Sequence, residues 1–454
     1  MRNSLENRLL LYRRILKKEQ RLFEAAGYLY DNGEKQKDIV SMAAVYVMAP
    51  VMYQFVEWVL KNAVVAGQKR LYFLARDGYS MYHIAKIICE QRKLPIDCRY
   101  LYSSRYAWRT AQYHLIGEES LHYICLGGID VTFEKVMRRS GVTKEEGMQM
   151  ARTVGFEKGY QDILSYDDLT LLKDKLAADR NFMELMTGRS ERNYPLVIGY
   201  LEQEGLMDQE PFALVDSGWT GSMQKTLNQL LMSRGGAIPR MEGYYFGLYE
   251  YPSDTLPETY HTYYFSPKKG LLRKVYFCNS LFECIFSSPE GMTTGYMLEE
   301  GRYKPVLEKK KNPNFENIEK TTKILCGYAH YQAGRSDDSS EGSLDVTKRL
   351  LYYFMGHPLK EEARIFGDYV FCDDVIDEKN QTVAADLSCQ EIKDNWLLNK
   401  SKSFLKKNRA VRESAWLEGS TVLVGETKWT GLFHAALYKY VLYLRKQMKR
   451  GYVS

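Results

Sequence analysis

The chain has 454 residues, of which 45% are hydrophobic and 26% charged, and a formal net charge of +6. That is the balance of an ordinary soluble globular protein with one large core or two moderate ones. So mild a charge does not call for nucleic acid, while it permits an anionic substrate or peripheral contact with a membrane surface. The eight cysteines are scattered, with no C-x-x-C pair and no histidine at zinc spacing, which speaks against a disulfide framework and a structural zinc site. The charged N-terminus lacks an apolar stretch of signal-peptide type, so the expected location is the cytoplasm, with the inner face of the membrane as a variant. Tyrosine is frequent, at 36 residues, which suits stacking on sugars or bases and equally suits plain packing.

In chain order, residues 3–36 read as one charged helix ending at Asn32-Gly33. Its helix-spaced Leu9, Leu10, Ile15 and Leu16 make it a solvated amphipathic helix rather than a membrane anchor. Basic clusters fall at Arg13 to Lys18, at Lys309 to Lys311, and in the tail from Lys439 to Arg450. Residues 38–66 are an apolar helix. Met42 to Leu60 is long enough to span a bilayer, but Pro50, Gln54 and Glu57 inside it favour a buried helix. Lys69 to Ala75 is a short apolar strand stopped by Arg76-Asp77-Gly78 and followed by a helix over Tyr79 to Gln91. A strand at 98–103 then closes a βαβ crossover.

Between about 112 and 205 the pattern becomes helical and charged, with segments near 131–140, 143–153, 167–187 and 189–205, read as an insertion. The chain returns to the sheet at 211–215, and Tyr244 to Tyr249 and Thr262 to Phe265 read as later strands. Past residue 300, helices are expected at 316–333, 344–356 and 430–449, with loops at Lys309 to Asn314 and Gly334 to Gly342. The fold class is therefore α/β, a parallel-sheet, Rossmann-like core with a helical insertion and a mostly helical C-terminal region. The expected organisation is 1–37, a charged helix; 38–300, the α/β domain; and 301–454, the α-rich region.

Chemistry concentrates in a few places. Phe212 to Val215 is an apolar run that stops at Asp216, passes Ser217-Gly218-Trp219-Thr220-Gly221, and enters a helix at Ser222. Amides of Gly218 to Ser222 and the hydroxyls of Thr220 and Ser222 suit a phosphate at a helix start. Asp216, at a strand end, suits sugar hydroxyls or a magnesium-bound water, though a plain helix cap is the alternative. Arg76-Asp77-Gly78 is a second turn of the same design, matched to an anion or simply an exposed Arg–Asp turn. Arg105 and Arg109 are spaced i, i+4 after a strand, either closing over a diphosphate or lying on a solvated helix face. Glu283, among Leu281, Phe282, Cys284 and Ile285, has the apolar surroundings that raise a carboxylic acid toward a general base, with a capping role as the alternative. His261 is a weaker candidate. Asp373-Asp374-Val375-Ile376-Asp377 lacks the D-x-D-x-[TV] spacing of a phosphatase and reads as a loop. No metal ligand set is assigned directly, and no Walker A, G-x-G-x-x-G, G-x-S-x-G or H-E-x-x-H motif occurs.

Leu214 to Ser222 resembles the phosphoribosyl pyrophosphate signature of type I phosphoribosyltransferases, an apolar strand, two acids, a short loop and Thr-Gly-x-Thr before a helix. Arg76-Asp77-Gly78 is similar to their pyrophosphate-binding turn, and the order of the two turns agrees. Ser217 replaces the second acid, and the loop is about a residue shorter. Leu71 to Gly78, Tyr102-Ser103-Ser104-Arg105, Asp216 to Gly221 and Trp416 to Ser420 also resemble bacterial polysaccharide-cluster proteins known as predicted haloacid-dehalogenase (HAD) hydrolases. In that family a phosphatase domain usually precedes such a region. That part is not in this sequence, so the hydrolase label does not carry over.

The resemblance implies a glycosyltransferase that moves a 5-phosphoribosyl group from phosphoribosyl pyrophosphate, or another sugar-phosphate donor, to a glycan acceptor, including a lipid-linked one, in capsule or O-antigen synthesis. Residues 218–222 would hold the 5-phosphate, Asp216 the ribose, and Arg76, Asp77, Gly78 and Arg105 the pyrophosphate with magnesium. Glu283 would be the base, and a separate phosphatase would finish the product. Two other readings stay open: a non-catalytic sugar-nucleotide or glycan-binding regulator, which Ser217 favours, and a hydrolase with Ser217 as nucleophile.

Overall fold

The computed structural model describes residues 2–33, 38–128, 131–235, 240–335, 344–371, 381–400, 411–426 and 428–449. Its centre is a five-stranded sheet of β1 (Arg70–Leu74), β2 (Asp97–Leu101), β3 (Phe212–Trp219), β4 (Glu242–Leu248) and β5 (Tyr260–Phe265), in the order β2-β1-β3-β4-β5. Every pairing is parallel. Both faces are covered, which is why these strands read as apolar runs rather than as alternating patterns. Leu71 and Phe73 point into one core with Ala213, Val215 and Phe246, while Tyr72 and Leu74 point into a second with Phe212 and Leu214. The protein is α/β, as the sequence indicates.

The first core is filled by the helix Ile39–Val65. It is the one helix among the described residues long and apolar enough to cross a membrane, and 89% of its apolar window is buried inside the protein. Its Glu57 is held by Arg21 and Arg92, and Gln54 Nε2 donates to the Pro50 carbonyl and to Thr347 Oγ1, so most of the polar groups that argued for burial find partners inside. The inserted helices between Tyr113 and Met186 enclose a separate apolar cluster containing Phe133, Leu172 and Phe182.

Three expectations are corrected. Residues 3–36 are two helices, Arg2–Leu16 and Gln20–Asn32, and they are not solvated. The break at 17–19 lets both segments bury apolar residues, Tyr12, Ile15 and Leu16 from one and Leu22, Ala25 and Ala26 from the other, in the main core. The strand expected to stop at residue 215 continues to Trp219, because Asp216, Gly218 and Trp219 pair with Tyr245, Gly247 and Leu248 of β4. The region around residue 300 carries an antiparallel hairpin, Thr293–Glu299 with Arg302–Leu307, that was not anticipated. Its alternation is weak, with only Thr293 and Tyr296 of the first strand buried. The acidic run 373–377 and most of Gly334 to Gly342 lie outside the described residues.

Candidate functional site

β1 lies between β2 and β3, so the chain leaves its carboxyl end in one direction and returns to the sheet in the other. Crevices form at such a switch point, beyond the carboxyl ends of the strands. A cavity of about 440 Å³ lies there, lined by Arg76, Asp77, Arg105, Asp216, Gly218, Thr220 and Glu283 among others. Its size is that of a small-ligand site, roughly 300–1,000 Å³. Two turns separated by most of the inserted helices therefore face one space. A hydrogen bond from Ser217 Oγ to the Asp77 carboxylate ties them together across 140 residues.

Both turns hold a bulky residue in the left-handed region, Arg76 at φ 72° and Trp219 at φ 63°. Such conformations cost about 1–3 kcal/mol and persist where the surroundings impose them. The Arg76 amide donates to the Tyr100 hydroxyl at 2.9 Å. The Trp219 ring packs among Phe265, Phe277 and Phe282, and its Nε1 donates to Glu283 Oε1. The helix Asn279–Phe286 thereby delivers its one acid to the rim.

The cavity wall carries four carboxylates, Asp77, Asp216, Glu250 and Glu283, and three of them are shifted. Burial and the charge of Asp77 raise Asp216 to about 8, with Arg105 opposing. Burial and Asp77 likewise raise Glu283 to about 7, against Arg105 and Arg76. Asp77 is itself raised by burial, offset by the Ser217 hydrogen bond and the two arginines. None of the three makes an ion pair within 4 Å among the described residues. Such clustered, raised acids mark sites that take a cation or move a proton.

Among the described residues, no group of three or more His, Cys, Asp or Glu is arranged to hold a metal ion. Magnesium does not need one, since one or two carboxylates with substrate phosphates and water suffice. An all-oxygen donor set whose members repel one another fits that ion.

The remaining sequence candidates are placed differently. Gly78, Gly221 and Ser222 are not on the cavity wall. A Cβ on Gly218 would lie 2.6 Å from the Gly247 carbonyl oxygen, and one on Gly221 would lie 2.7 Å from the Tyr260 ring. With φ of 108° and 62°, these glycines serve sheet packing and backbone shape rather than ligand approach. The amide of Thr220 is spent on the Gly218 carbonyl at 2.9 Å, so residues 218–222 are not a continuous cradle of free amides. Gly221, not Asp216, is the N-cap of the helix Ser222–Met232, and it offers no side-chain cap. His261 pairs with Glu242 at 2.8 Å, away from the cavity.

Arg109 is the residue the spacing argument left undecided. Its Nη2 donates to Ser222 Oγ at 3.1 Å, its Nε is buried without a partner, and its guanidinium sits 4.1 Å from the Tyr123 ring centroid. Burial and the nearby Arg105 push it down to about 10, and no carboxylate pairs with it among the described residues. Ser222 Oγ accepts from both Arg109 and Thr220, which leaves its own proton to donate. An uncompensated cation beneath an uncapped helix start favours an anion above it. Sequence reasoning also missed Tyr249 and, from the C-terminal helix, Tyr443 and Lys446, which complete the wall. Their distance along the chain gave no signal.

In comparison with known proteins, the chain matches no protein-family model and no curated protein.

Proposed function

We propose that the protein is a transferase that moves a 5-phosphoribosyl group from phosphoribosyl pyrophosphate to a hydroxyl of a surface-glycan acceptor, on a phosphoribosyltransferase-like core. The observation that supports this reading is the meeting of the Arg76-Asp77 turn and the Asp216–Thr220 turn at one cavity, bridged by Ser217. Arg76 and Arg105 line that space, while Arg109 lies off its wall, bonded to Ser222 at the start of the helix Ser222–Met232. A pyrophosphate matches the two arginines on the wall, and the helix start at Arg109 is assigned to the donor's other phosphate.

In the reaction, the bond from the ribose anomeric carbon to pyrophosphate breaks and the leaving group takes the electron pair. A bond from the acceptor oxygen to that carbon forms, and the acceptor proton passes to Glu283. An acid raised to about 7 is matched to that transfer near neutral pH. In its ionised form Asp216 faces the ribose and stabilises the positive charge that develops on the ring. Arg76 and Arg105 bind the departing pyrophosphate. Magnesium, held by Asp216 and Asp77, would neutralise the pyrophosphate charge when bound. The product keeps its 5-phosphate, so a separate phosphatase must act next.

Incubation with phosphoribosyl pyrophosphate, magnesium and a lipid-linked glycan acceptor should release pyrophosphate, and Asp216→Ala should lower that release by about a hundredfold or more. Release that persists unchanged in Asp216→Ala would remove the site from the reaction. The second reading, a sugar-phosphate-binding regulator without transfer, is favoured by Ser217 standing where the signature has its second acid. It predicts donor binding with no pyrophosphate release.

A further inference from the structure

The C-terminal helix Lys428–Lys449 has two faces with different tasks. Its inner face supplies Leu442, Tyr443 and Lys446 to the cavity wall, with Tyr443 stacked on Tyr249 at 5.2 Å and Lys439 paired with Glu418 at 2.7 Å. Its outer face is apolar and open: Trp429 is 74% exposed, Phe433 63%, Tyr440 38%, Val441 39%, Leu444 37% and Met448 63%. At 3.6 residues per turn these six fall in a single stripe about a third of the helix circumference wide. So contiguous an apolar band on a protein surface calls for a covering partner.

The composition of the helix says which partner. The 22 residues contain Lys428, Lys439, Arg445, Lys446 and Lys449 and no Asp or Glu. Arg445 is exposed at the edge of the stripe, while Lys446 belongs to the inner face. Apolar side chains led by Trp and Phe, with an exposed arginine beside them and a helix of basic composition without acids, are the makeup of a helix that lies in the boundary of an anionic bilayer. A second copy of the same helix would set like charges against each other, which disfavours self-pairing.

We infer that the outer face of Lys428–Lys449 docks the protein on an anionic phospholipid bilayer, with the cavity held directly behind the helix. A helix is about 10–12 Å across, so the cavity wall would stand within that distance of the headgroups. The inference stands on the helix alone. Joined to the transferase reading, it favours an acceptor whose lipid anchor lies in the same bilayer.

The test uses the full chain with vesicles of phosphatidylglycerol and phosphatidylcholine in equal parts, against phosphatidylcholine alone. The chain should sediment with the anionic vesicles at least about tenfold more strongly, and less so as salt is raised. Trp429 is the most exposed of the six tryptophans, so emission should shift to the blue on binding, and Trp429→Phe should lose the shift. The double variant Phe433→Glu and Leu444→Glu should stay in the supernatant with an unaltered unfolding curve. No sedimentation of the natural chain, no shift from Trp429, or equal sedimentation of the double variant overturns the inference. So does a dimer that the double variant dissolves without any vesicle binding. A chain that binds vesicles yet releases no pyrophosphate leaves the docking face intact and removes only the transferase reading.

Discussion

Beneath the sheet, Glu57 is gripped by Arg21 and Arg92 at 2.9 Å each, whereas at the β1/β3 rim Asp216 has no cation within ion-pair distance among the described residues. The same contrast recurs. Glu362 takes Arg8 at 3.4 Å and the Tyr12 hydroxyl at 2.7 Å, and Glu418 takes Lys439 at 2.7 Å. Asp77 and Glu283, like Asp216, face a cavity instead, with raised proton affinity, and Arg109 is buried with no carboxylate partner among the described residues. Scaffold charges are matched within the fold and cavity charges are left unmatched. Unmatched charge is costly to hold, so its concentration at one crevice points to what the crevice is built to bind.

The largest expected effect tests the matched side of that contrast. Glu57→Ala removes the carboxylate that Arg21 and Arg92 share and should cost about 3–5 kcal/mol in urea unfolding. Asp216→Asn in the same measurement should cost nothing or add stability, since it removes an acid whose ionisation burial and Asp77 oppose. Comparable losses in the two variants would erase the distinction. On the unmatched side, the hundredfold fall in pyrophosphate release for Asp216→Ala should come with an unchanged unfolding curve.

Next in size, Arg109→Met should weaken protection by ribose 5-phosphate about tenfold in a thermal-shift titration. Its stability without ligand should move by no more than about 1 kcal/mol. A large loss of stability with ligand protection intact would make Arg109 a scaffold residue instead. A further effect is in pH. Asp216, raised to about 8, keeps its proton in the folded chain after the unfolded chain has released it. Its stabilising contribution is present in acid and is lost as pH rises from the ordinary carboxylate range through about 8. Asp216→Asn should flatten that decline, and magnesium should reduce it by favouring the charged form. A slope identical in the variant and the natural chain would show that Asp216 titrates normally.

Much of this architecture was legible because each element carries its own signal. Lys69 to Ala75 and Phe212 to Val215 are apolar runs followed at once by helical periodicity, which marks parallel strands covered on both faces. Pro50, Gln54 and Glu57 were enough to keep the helix over 39–65 inside the protein. Asp216, Arg76 and Glu283 were identifiable because a charged residue next to a buried run demands a reason. The break at 17–19, the extension of β3 to Trp219 and the hairpin after residue 293 were not legible. Each depends on what the segment packs against rather than on its own composition.

The sequence by itself determined the α/β class and the residue types that a phosphate-rich ligand would need, since apolar periodicity and glycine-bearing turns are local properties. Only the tertiary structure decided that Gly78, Gly221 and Ser222 stand off the cavity wall and that Tyr443 and Lys446 belong to it. It also decided that Arg109 is buried without a carboxylate partner among the described residues. Burial and charge compensation are sums over neighbours brought from distant parts of the chain, and no local window contains them.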